Sequence, residues 1–320
     1  MFTVITDTSA NLDRKWLEDH KVRAIPFHYF VQGKDCTCLD TEHFDGAAFY
    51  GAMRGGERVT TSQITPQAYL DTMRPLLEKG EDLLFVGMSS GISGSYSQAE
   101  IAAGELREEY PQRKILLVDT LSASLGEGLL VLRAVECRDS GVSLEETHDL
   151  LLKLRAGMCQ VFTVDDLKYL RYTGRLSNMA AIVGTMLNIK PLLKGDTEGK
   201  IVSFAKLRGR RKAIQAMAEQ YGKMVLGAGK QTVGIAHADC QPDVDYLIGL
   251  LNAVHPPMDI MTVMYEPVTG SHVGPGTLAL FFMGDEKFRG QTDSLLDAIS
   301  QRVEEGKESL KVALKRENRK

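Results

Sequence analysis

A run of small and hydroxyl-bearing residues stands out in the first half of the chain: Gly87-Met-Ser-Ser-Gly-Ile-Ser-Gly-Ser-Tyr-Ser97. It follows an apolar run typical of a strand and precedes a pattern typical of a helix. Such a loop presents free backbone amides and the partial positive charge of a helix N-terminus, which suit an anionic head group. The alternative, that the serines only cap the helix and permit a tight turn, is equally open. The hydroxyls that would add donors belong to Ser89, Ser90, Ser93 and Ser95.

A second hydroxyl cluster, Thr60-Thr61-Ser62-Gln63, precedes another predicted helix. Thr65 and Pro66 have the residue types of its N-cap and first helical position, so that helix already has its cap. Thr61 and Ser62 are therefore free to hold a ligand, although ordinary loop polarity explains them as well.

The segment Gly87-Met-Ser89-Ser-Gly91 also satisfies GxSxG, the nucleophile elbow of serine hydrolases, and it follows a predicted strand as that motif requires. Asp239 with His237 or His272 would supply the acid and the base in the expected chain order. Against this alternative, the glycines after the elbow predict more loop where a helix should begin, and no HGGG-like oxyanion segment precedes it.

His272 lies among glycines in Gly270-Ser-His-Val-Gly-Pro-Gly276, which predicts a loop with no apolar face to bury the ring. Backbone with so little side chain can approach a ligand closely. A structural role and a ligand-binding role are both open for this histidine.

Two basic runs occur in the second half, Tyr169 to Ser177 and Lys206 to Lys212. Such runs are most often solvated faces. In a chain of net charge -4, however, two basic clusters in one domain can steer an acidic partner.

Several enzyme classes are excluded by missing motifs. The chain has no GxxxxGK[ST], no GxGxxG after a strand and no HExxH, so it is not an autonomous NTPase, a dinucleotide dehydrogenase or a zinc protease of that type. Its five cysteines (36, 38, 137, 159 and 240) are scattered without the spacing of a zinc site, so we expect no metal and no cofactor.

Composition narrows the class further. The chain has 320 residues, of which 43% are hydrophobic and 25% charged, as in a globular protein of about two domains. The negative net charge gives no general attraction for nucleic acid. No apolar run approaches the ~18 residues of a transmembrane segment. The first residues have no signal-peptide pattern, so we expect a cytoplasmic protein.

Strand and helix patterns alternate in the first half, which predicts an α/β domain with a mainly parallel sheet. Strands are predicted at Phe2 to Thr6, Val22 to Val31, Leu83 to Met88 and Lys114 to Asp119, and helices at Pro66 to Leu77, Ser97 to Tyr110 and Gly126 to Asp139.

A capping box, Ser143-Leu-Glu-Glu146, predicts a helix over about 144 to 156, and the rhythm changes after it. We therefore predict an amino-terminal domain over 1–157, a smaller mixed α/β domain over 158–288 and a helical tail over 289–320. The second domain is predicted to contain strands at Gln160 to Val164, Thr232 to His237, Ile260 to Tyr265 and Thr277 to Met283, a hairpin around Lys194 to Gly199, and helices at Asn178 to Leu187, Arg210 to Val225 and Val244 to Val254.

Six motifs in this order resemble the DegV family of bacterial fatty-acid-binding proteins, over roughly residues 2 to 285. They are Thr6-Asp-Thr-Ser9, Thr61-Ser62-Gln63, Ile92-Ser93-Gly94-Ser95, Val118-Asp-Thr120, Gly174-Arg175-Leu176-Ser177 and Gly274-Pro-Gly276.

The resemblance implies two α/β domains with one fatty acid held at the seam between them. It implies that Thr61, Ser62, Ser93, Gly94 and His272 hold the carboxylate of a palmitate, stearate or oleate. It further implies that Arg175 and Arg208 contact a separate ATP-dependent fatty acid kinase, outside the lipid tunnel. The protein would then be a non-enzymatic subunit that presents lipid for acyl-phosphate formation, a step towards phospholipid synthesis. Transient contact with a membrane surface is compatible with this role.

The energetics favour a lipid over a small polar ligand. Hydrogen bonds to a carboxylate contribute ~1.5 to 3 kcal/mol each, while association and ordering cost roughly 4 to 15 kcal/mol. Burying about ten methylenes at ~0.8 kcal/mol each supplies on the order of 8 kcal/mol. The tail should therefore dominate the affinity, and the polar residues should set the orientation. The candidate wall segments are Met179 to Leu187, Ile189 and Leu278 to Met283.

Overall fold

The computed structural model describes residues 2–39, 44–177 and 188–290. The predicted helix from Asn178 to Leu187 and most of the predicted tail, residues 291–320, lie outside the described residues. The strands are β1 (Phe2–Asp7), β2 (Arg23–Ile25), β3 (His28–Val31), β4 (Lys34–Thr37), β5 (Val59–Ser62), β6 (Asp82–Gly87), β7 (Ile115–Asp119), β8 (Met158–Thr163), β9 (Ile189–Gly195), β10 (Ile201–Arg208), β11 (Thr232–His237), β12 (Asp259–Met264) and β13 (Leu278–Met283).

Helices occupy the segments between most of these strands. None of those in the described ranges is long and apolar enough to cross a membrane. They are α1 (Arg14–Asp19), α2 (Gly46–Arg54), α3 (Pro66–Glu78), α4 (Ser95–Glu109), α5 (Leu125–Asp139), α6 (Leu144–Gly157), α7 (Lys168–Tyr172), α8 (Arg210–Met224), α9 (Gln241–Val254), α10 (Pro267–Val273) and α11 (Lys287–Gly290).

The first sheet has the order β2-β1-β6-β7 and is parallel throughout, as predicted. Its strands are buried on both faces, with Val4, Ile5, Leu83 and Leu84 fully inaccessible, because crossover helices cover a parallel sheet on each side. The predicted capping box of α6 is present, with Ser143 accepting from Glu146 N.

The second sheet has the order β10-β9-β8-β13-β11-β12 and mixes parallel with antiparallel pairs. Its hairpin of β9 and β10 turns where the sequence predicts it, through Asp196 to Lys200. The predicted α/β class, with a parallel sheet in the first half and a mixed sheet in the second, is therefore confirmed. The domain boundary after residue 157 stays a prediction.

A third, antiparallel sheet, β4-β3-β5, was not predicted. The run from Val22 to Val31 was predicted as one strand, which is wrong: it divides between β2 and β3, which belong to different sheets. Pro26 separates the two because proline has no amide to donate to a ladder. The segment of Thr61 and Ser62 was likewise predicted as loop and is instead strand β5, paired with Tyr29 and His28.

Three side chains join the sheets at their junction. Arg289 is 4% exposed, and its guanidinium donates to the carbonyls of Leu121 and Asp196 and to Ser122 Oγ. Asn11 donates to the carbonyl of Met264, and Gln160 donates to that of Leu121. Polar groups buried at this junction are thus bonded across it, which fixes how the loops meet.

The loop Met88 to Gly94, here called the serine loop, packs against the β9–β10 turn at Gly91. A Cβ on Gly91 would lie 2.4 Å from Glu198 O and 2.8 Å from Lys200 N. We expect Gly91→Ala to destabilise the protein by about 1–3 kcal/mol, because backbone on both sides cannot give way as a flexible side chain would.

The control is Gly104→Ala on the exposed face of α4, where an added Cβ meets nothing within 4 Å. This exchange should raise stability by about 0.5–1 kcal/mol, as expected for alanine within a helix. Urea unfolding of both variants provides the comparison, and equal effects would contradict the contact at Gly91.

Candidate functional site

A cavity of about 190 Å³ lies at the carboxyl edge of the parallel sheet, closed by the third sheet, α10 and the second sheet. In open α/β sheets, ligands bind at this edge, beside the strand where the strand order reverses. Here that strand is β1, which lies between β2 and β6. The described residues that line it are Phe27, Thr61, Ser62, Gln63, Met88, Ile92, Ser93, Gly94, Ser122, Ala123, Gln160, Phe162, Leu170, Arg175, Gly195, Gly199, Ile201, Tyr265, Val268, Thr269, His272, Val273 and Phe281.

The structure brings together every residue predicted to hold the carboxylate. Thr61, Ser62, Ser93, Gly94 and His272 all line the cavity. They come from β5, the serine loop and α10, which are far apart in the chain.

The serine loop divides its hydroxyls between structure and cavity. Ser89 Oγ donates to Gly199 O at 3.0 Å, and Ser90 Oγ donates to Asp119 Oδ2 at 2.6 Å, so these two serines hold the loop in place. Ser93 lines the cavity, where its Oγ lies 3.0 Å from Ser95 Oγ. The N-terminus of α4 follows directly, since Gly94 is its N-cap residue.

Thr61 and His272 meet across the cavity wall, although they are 211 residues apart in sequence. Thr61 Oγ1 lies 2.9 Å from His272 Nε2. Their contact connects β5 of the third sheet to α10.

His272 was predicted to lie in a loop with no apolar face, and this is wrong. It lies on α10, which Glu266 caps by accepting from the amides of Val268 and Thr269. Residues 268, 269, 272 and 273 of this helix line the cavity, the spacing of one helical face. A sequence reading misses the helix because glycines at 270 and 274 disguise its pattern.

The imidazole of His272 is neutral at neutral pH. Burial, together with the nearby positive charge of Arg175, lowers its pKa from 6.5 to about 4. Its Nδ1 and the hydroxyl of Thr269 are buried without a hydrogen-bond partner in the described part of the chain. Buried polar atoms without a partner are unusual in a folded protein, and here both belong to residues that line the cavity.

Arg175 was expected outside the ligand site, but the structure places it on the cavity wall. It is the only charged side chain among the described lining residues at neutral pH, and no carboxylate is among them. Burial lowers the pKa of Arg175, but a guanidinium keeps its charge in a protein. Arg208, by contrast, is exposed at the end of β10 and is not among the described lining residues.

The rest of the wall is largely apolar. Phe162 on β8 and Phe281 on β13 come from neighbouring antiparallel strands. Of the predicted wall segments, the one at Leu278 to Met283 contributes through Phe281, Ile189 is not among the described lining residues, and Met179 to Leu187 lies outside the described residues. Phe27, Met88 and Ile92 were missed, because nothing in a sequence distinguishes them from ordinary core.

The geometry argues against a serine hydrolase centred on Ser89. Its side chain is fully buried, and within the described ranges its Oγ bonds only to Gly199 O and Gly91 N. The two candidate bases make other hydrogen bonds: His272 bonds to Thr61, and His237 accepts from Cys240 N. Helix α4 also begins at Ser95 and not directly after the serine, as an elbow requires.

The depressed pKa of His272 should appear in the acid stability of the protein. The unfolded chain takes up this proton near pH 6.5 and the folded protein only near pH 4, so acidification favours unfolding between these values. The wild type should therefore lose about 3 kcal/mol of stability over this range relative to His272→Gln.

Denaturant unfolding at several pH values measures this difference. The control is His255→Gln, an exchange at an exposed position that should leave the profile of the wild type unchanged. Parallel profiles for His272→Gln and the wild type would contradict the buried neutral imidazole.

Comparison with known proteins places the chain in a family. The model of the family described as "Uncharacterised protein, DegV family" matches residues 1–285. A DegV domain-containing protein of Clostridium perfringens is 34% identical over 293 residues, covering 89% of this chain and 98% of that protein.

Solved structures show the same architecture. A fatty acid binding DegV family protein from Streptococcus agalactiae has a TM-score of 0.79 at 28% identity, covering 89% of this chain and 99% of that one. A DegV family protein from Thermus thermophilus, described for its fatty acid binding, has a TM-score of 0.78 at 29% identity with the same coverage. The chain is therefore a member of the DegV family, with the two-domain α/β fold of that family.

Proposed function

We propose that the protein binds one long-chain fatty acid, of the palmitate, stearate or oleate class, with its carboxylate at the polar end of the cavity. The observation that carries this proposal is the composition of the wall, which joins one arginine and several hydroxyls to a largely apolar surface without any described carboxylate. Such a wall suits a molecule with one negative charge and an apolar body. The fatty acid binding of the relatives from Streptococcus agalactiae and Thermus thermophilus supports the same ligand class.

Arg175 supplies the positive charge for the carboxylate in this proposal. The neutral His272 instead orients Thr61: with the ring proton on Nε2 donated to Thr61 Oγ1, the hydroxyl proton of Thr61 is free for the ligand. Ser93 and the amide groups at the N-terminus of α4 add further donors. A charge-assisted hydrogen bond of this kind is about twice as strong as a neutral one, so these groups set the orientation of the head group.

The apolar wall supplies most of the affinity. A volume of about 190 Å³ exceeds the ~150 Å³ of an engineered apolar cavity that accommodates benzene, so the described walls fit the head-group end of a fatty acid. Each methylene removed from water then adds ~0.8 kcal/mol.

We further propose that the protein is cytoplasmic, and that it is a carrier subunit that presents the bound carboxylate to a separate ATP-dependent kinase. A carboxylate oxygen attacks the γ-phosphorus of ATP, the bond to the β-phosphate oxygen breaks, and acyl phosphate and ADP result. The sequence lacks the GxxxxGK[ST] phosphate-binding motif, which supports placing the nucleotide site on the partner in this proposal. The exposed Arg208 is suited to contact an acidic partner surface because its charge remains in solvent.

The protein should copurify with about one fatty acid per chain. Burying about ten methylenes at ~0.8 kcal/mol each would make release of the lipid slow. Native mass spectrometry measures the retained mass, and extraction under denaturing conditions identifies the lipid. A protein that is lipid-free on purification and also ignores added palmitate and oleate would refute the proposed ligand.

Charge reversal should have different effects at the two arginines. Arg175→Glu should weaken fatty-acid binding by more than about tenfold, because it places a second negative charge beside the carboxylate. Arg208→Glu should leave lipid affinity unchanged and slow kinase-dependent turnover, more strongly at low salt than at high salt.

Lipid affinity and turnover are measured for both variants at two ionic strengths, with Thr61→Val as the reference for a lost head-group contact. If Arg175→Glu keeps full lipid affinity and loses turnover, Arg175 is a docking residue, as the family resemblance implies. If Arg208→Glu changes neither quantity, the kinase contact lies elsewhere.

A further inference from the structure

Two carboxylic side chains lie together beneath the serine loop, and the proposed fatty-acid site does not use them. Asp7 ends β1 and is 1% exposed, while Glu127 lies in the first turn of α5 and is fully buried. In the described ranges, no lysine, arginine or histidine is among their hydrogen-bond or ion-pair partners. Two neighbouring negative charges, both buried and without a positive partner, would strongly destabilise the fold.

The hydroxyl of Ser9 shows where a proton must lie. Ser9 Oγ is 2.6 Å from Asp7 Oδ1 and 2.5 Å from Glu127 Oε2. A hydroxyl has one proton, so it can donate to only one of the two oxygens. The other contact is a hydrogen bond only if that carboxyl group is protonated and donates to Ser9 Oγ.

The backbone distinguishes the two carboxyl groups. Asp7 accepts from two amides, Ser9 N at 2.9 Å and Met88 N at 3.0 Å. Besides Ser9, Glu127 contacts only side chains in the described structure: the hydroxyl of Thr6 at 3.0 Å and the carboxyl group of Asp7 itself. Amide donors stabilise a carboxylate, so the negative charge belongs on Asp7 and the proton on Glu127.

The electrostatic environment agrees with this assignment. Burial and the neighbouring Asp7 raise the pKa of Glu127 well above its ordinary value. Burial also raises the pKa of Asp7, but the amides of Ser9 and Met88 oppose that shift. Tyr69 on α3 also interacts with both carboxyl groups, and its hydroxyl carries no positive charge.

We propose that Glu127 is a neutral carboxylic acid in the folded protein, and that the chain of hydrogen bonds Glu127 to Ser9 to Asp7 to Met88 positions the serine loop. Met88 is the first residue of that loop and lines the cavity. The inference that this chain sets the geometry of the carboxylate site rests on the proposed fatty-acid function. Asp7, Ser9 and Glu127 are thus positioning residues that do not touch the ligand.

The route from Asp7 to the cavity is short and tightly packed. Asp7 Oδ2 holds the amide of Met88, and a Cβ on the preceding Gly87 would lie 3.3 Å from the same oxygen. Ser93 follows within the same loop, so a shift at Met88 moves the cavity-lining hydroxyl as well. A neutral acid at Glu127 lets Asp7 keep its charge for the Met88 amide.

Infrared spectroscopy of lipid-free protein tests the protonation state. The spectrum of the wild type at neutral pH should contain the C=O stretch of a protonated carboxylic acid, and Glu127→Gln should remove it. Glu266→Gln, at another buried carboxyl group, is the matched control and should leave the Glu127 band in place. If the band is missing from the wild type, or if Asp7→Asn removes it and Glu127→Gln does not, the assignment is wrong.

Fatty-acid affinity tests the positioning role. Glu127→Gln keeps a neutral donor to Ser9 and should bind within about threefold of the wild type. Asp7→Asn turns an amide donor towards Ser9 or Met88 and should weaken binding by about tenfold with the fold intact. Ser9→Ala, which removes only the linking hydroxyl, should also weaken binding and replaces Asp7→Asn if that variant does not fold.

The outcomes separate this inference from the proposed function. A wild type that binds no fatty acid refutes the function, while the infrared result still decides the state of Glu127. If the wild type binds, and Ser9→Ala and folded Asp7→Asn bind equally well, the positioning role is refuted while the function stands. Loss of binding in Glu127→Gln equal to that in Asp7→Asn would also refute it, since a neutral side chain would then not suffice.

Discussion

Most of the polar groups buried where the three sheets meet are hydrogen-bonded within the protein, and the rest of the structure depends on these bonds. A buried donor or acceptor without a partner costs about 1–3 kcal/mol, roughly twice what a made hydrogen bond contributes. Arg289 therefore bonds to both the loop after β7 and the β9–β10 turn, and Asn11 bonds to the end of β12. These bonds fix the loops in one arrangement, and the cavity is the space that this arrangement leaves.

Charge is distributed unequally around the cavity. The carboxyl groups of Asp7 and Glu127 lie beneath the serine loop, whereas the described lining has Arg175 as its charged residue and a neutral His272. Negative charge is kept away from the surface that we propose receives a carboxylate. Because the surroundings are buried, the interaction of Arg175 with an anion there is less screened than it would be in water.

His272 and Thr61 illustrate how a modest contact organises a site. Their hydrogen bond connects the third sheet to α10, and α10 is held at its other end by Glu266. Helix, strand and loop are thus fixed relative to one another before a ligand arrives. A site assembled in this way loses little ordering entropy on binding.

The sequence alone determined the α/β alternation, the parallel first sheet, the capping box of α6 and the β9–β10 turn, because these follow from local periodicity and turn chemistry. With the family resemblance, it also indicated five residues that line the cavity: Thr61, Ser62, Ser93, Gly94 and His272.

Only the tertiary structure decided the environments of these residues. The third sheet depends on pairing between distant short strands, and α10 is disguised by its glycines. The position of Arg175 on the wall, the neutral state of His272 and the pairing of Asp7 with Glu127 each depend on burial and on neighbours more than ninety residues away in sequence. Desolvation and Coulomb interactions act through space, so no spacing along the chain records them.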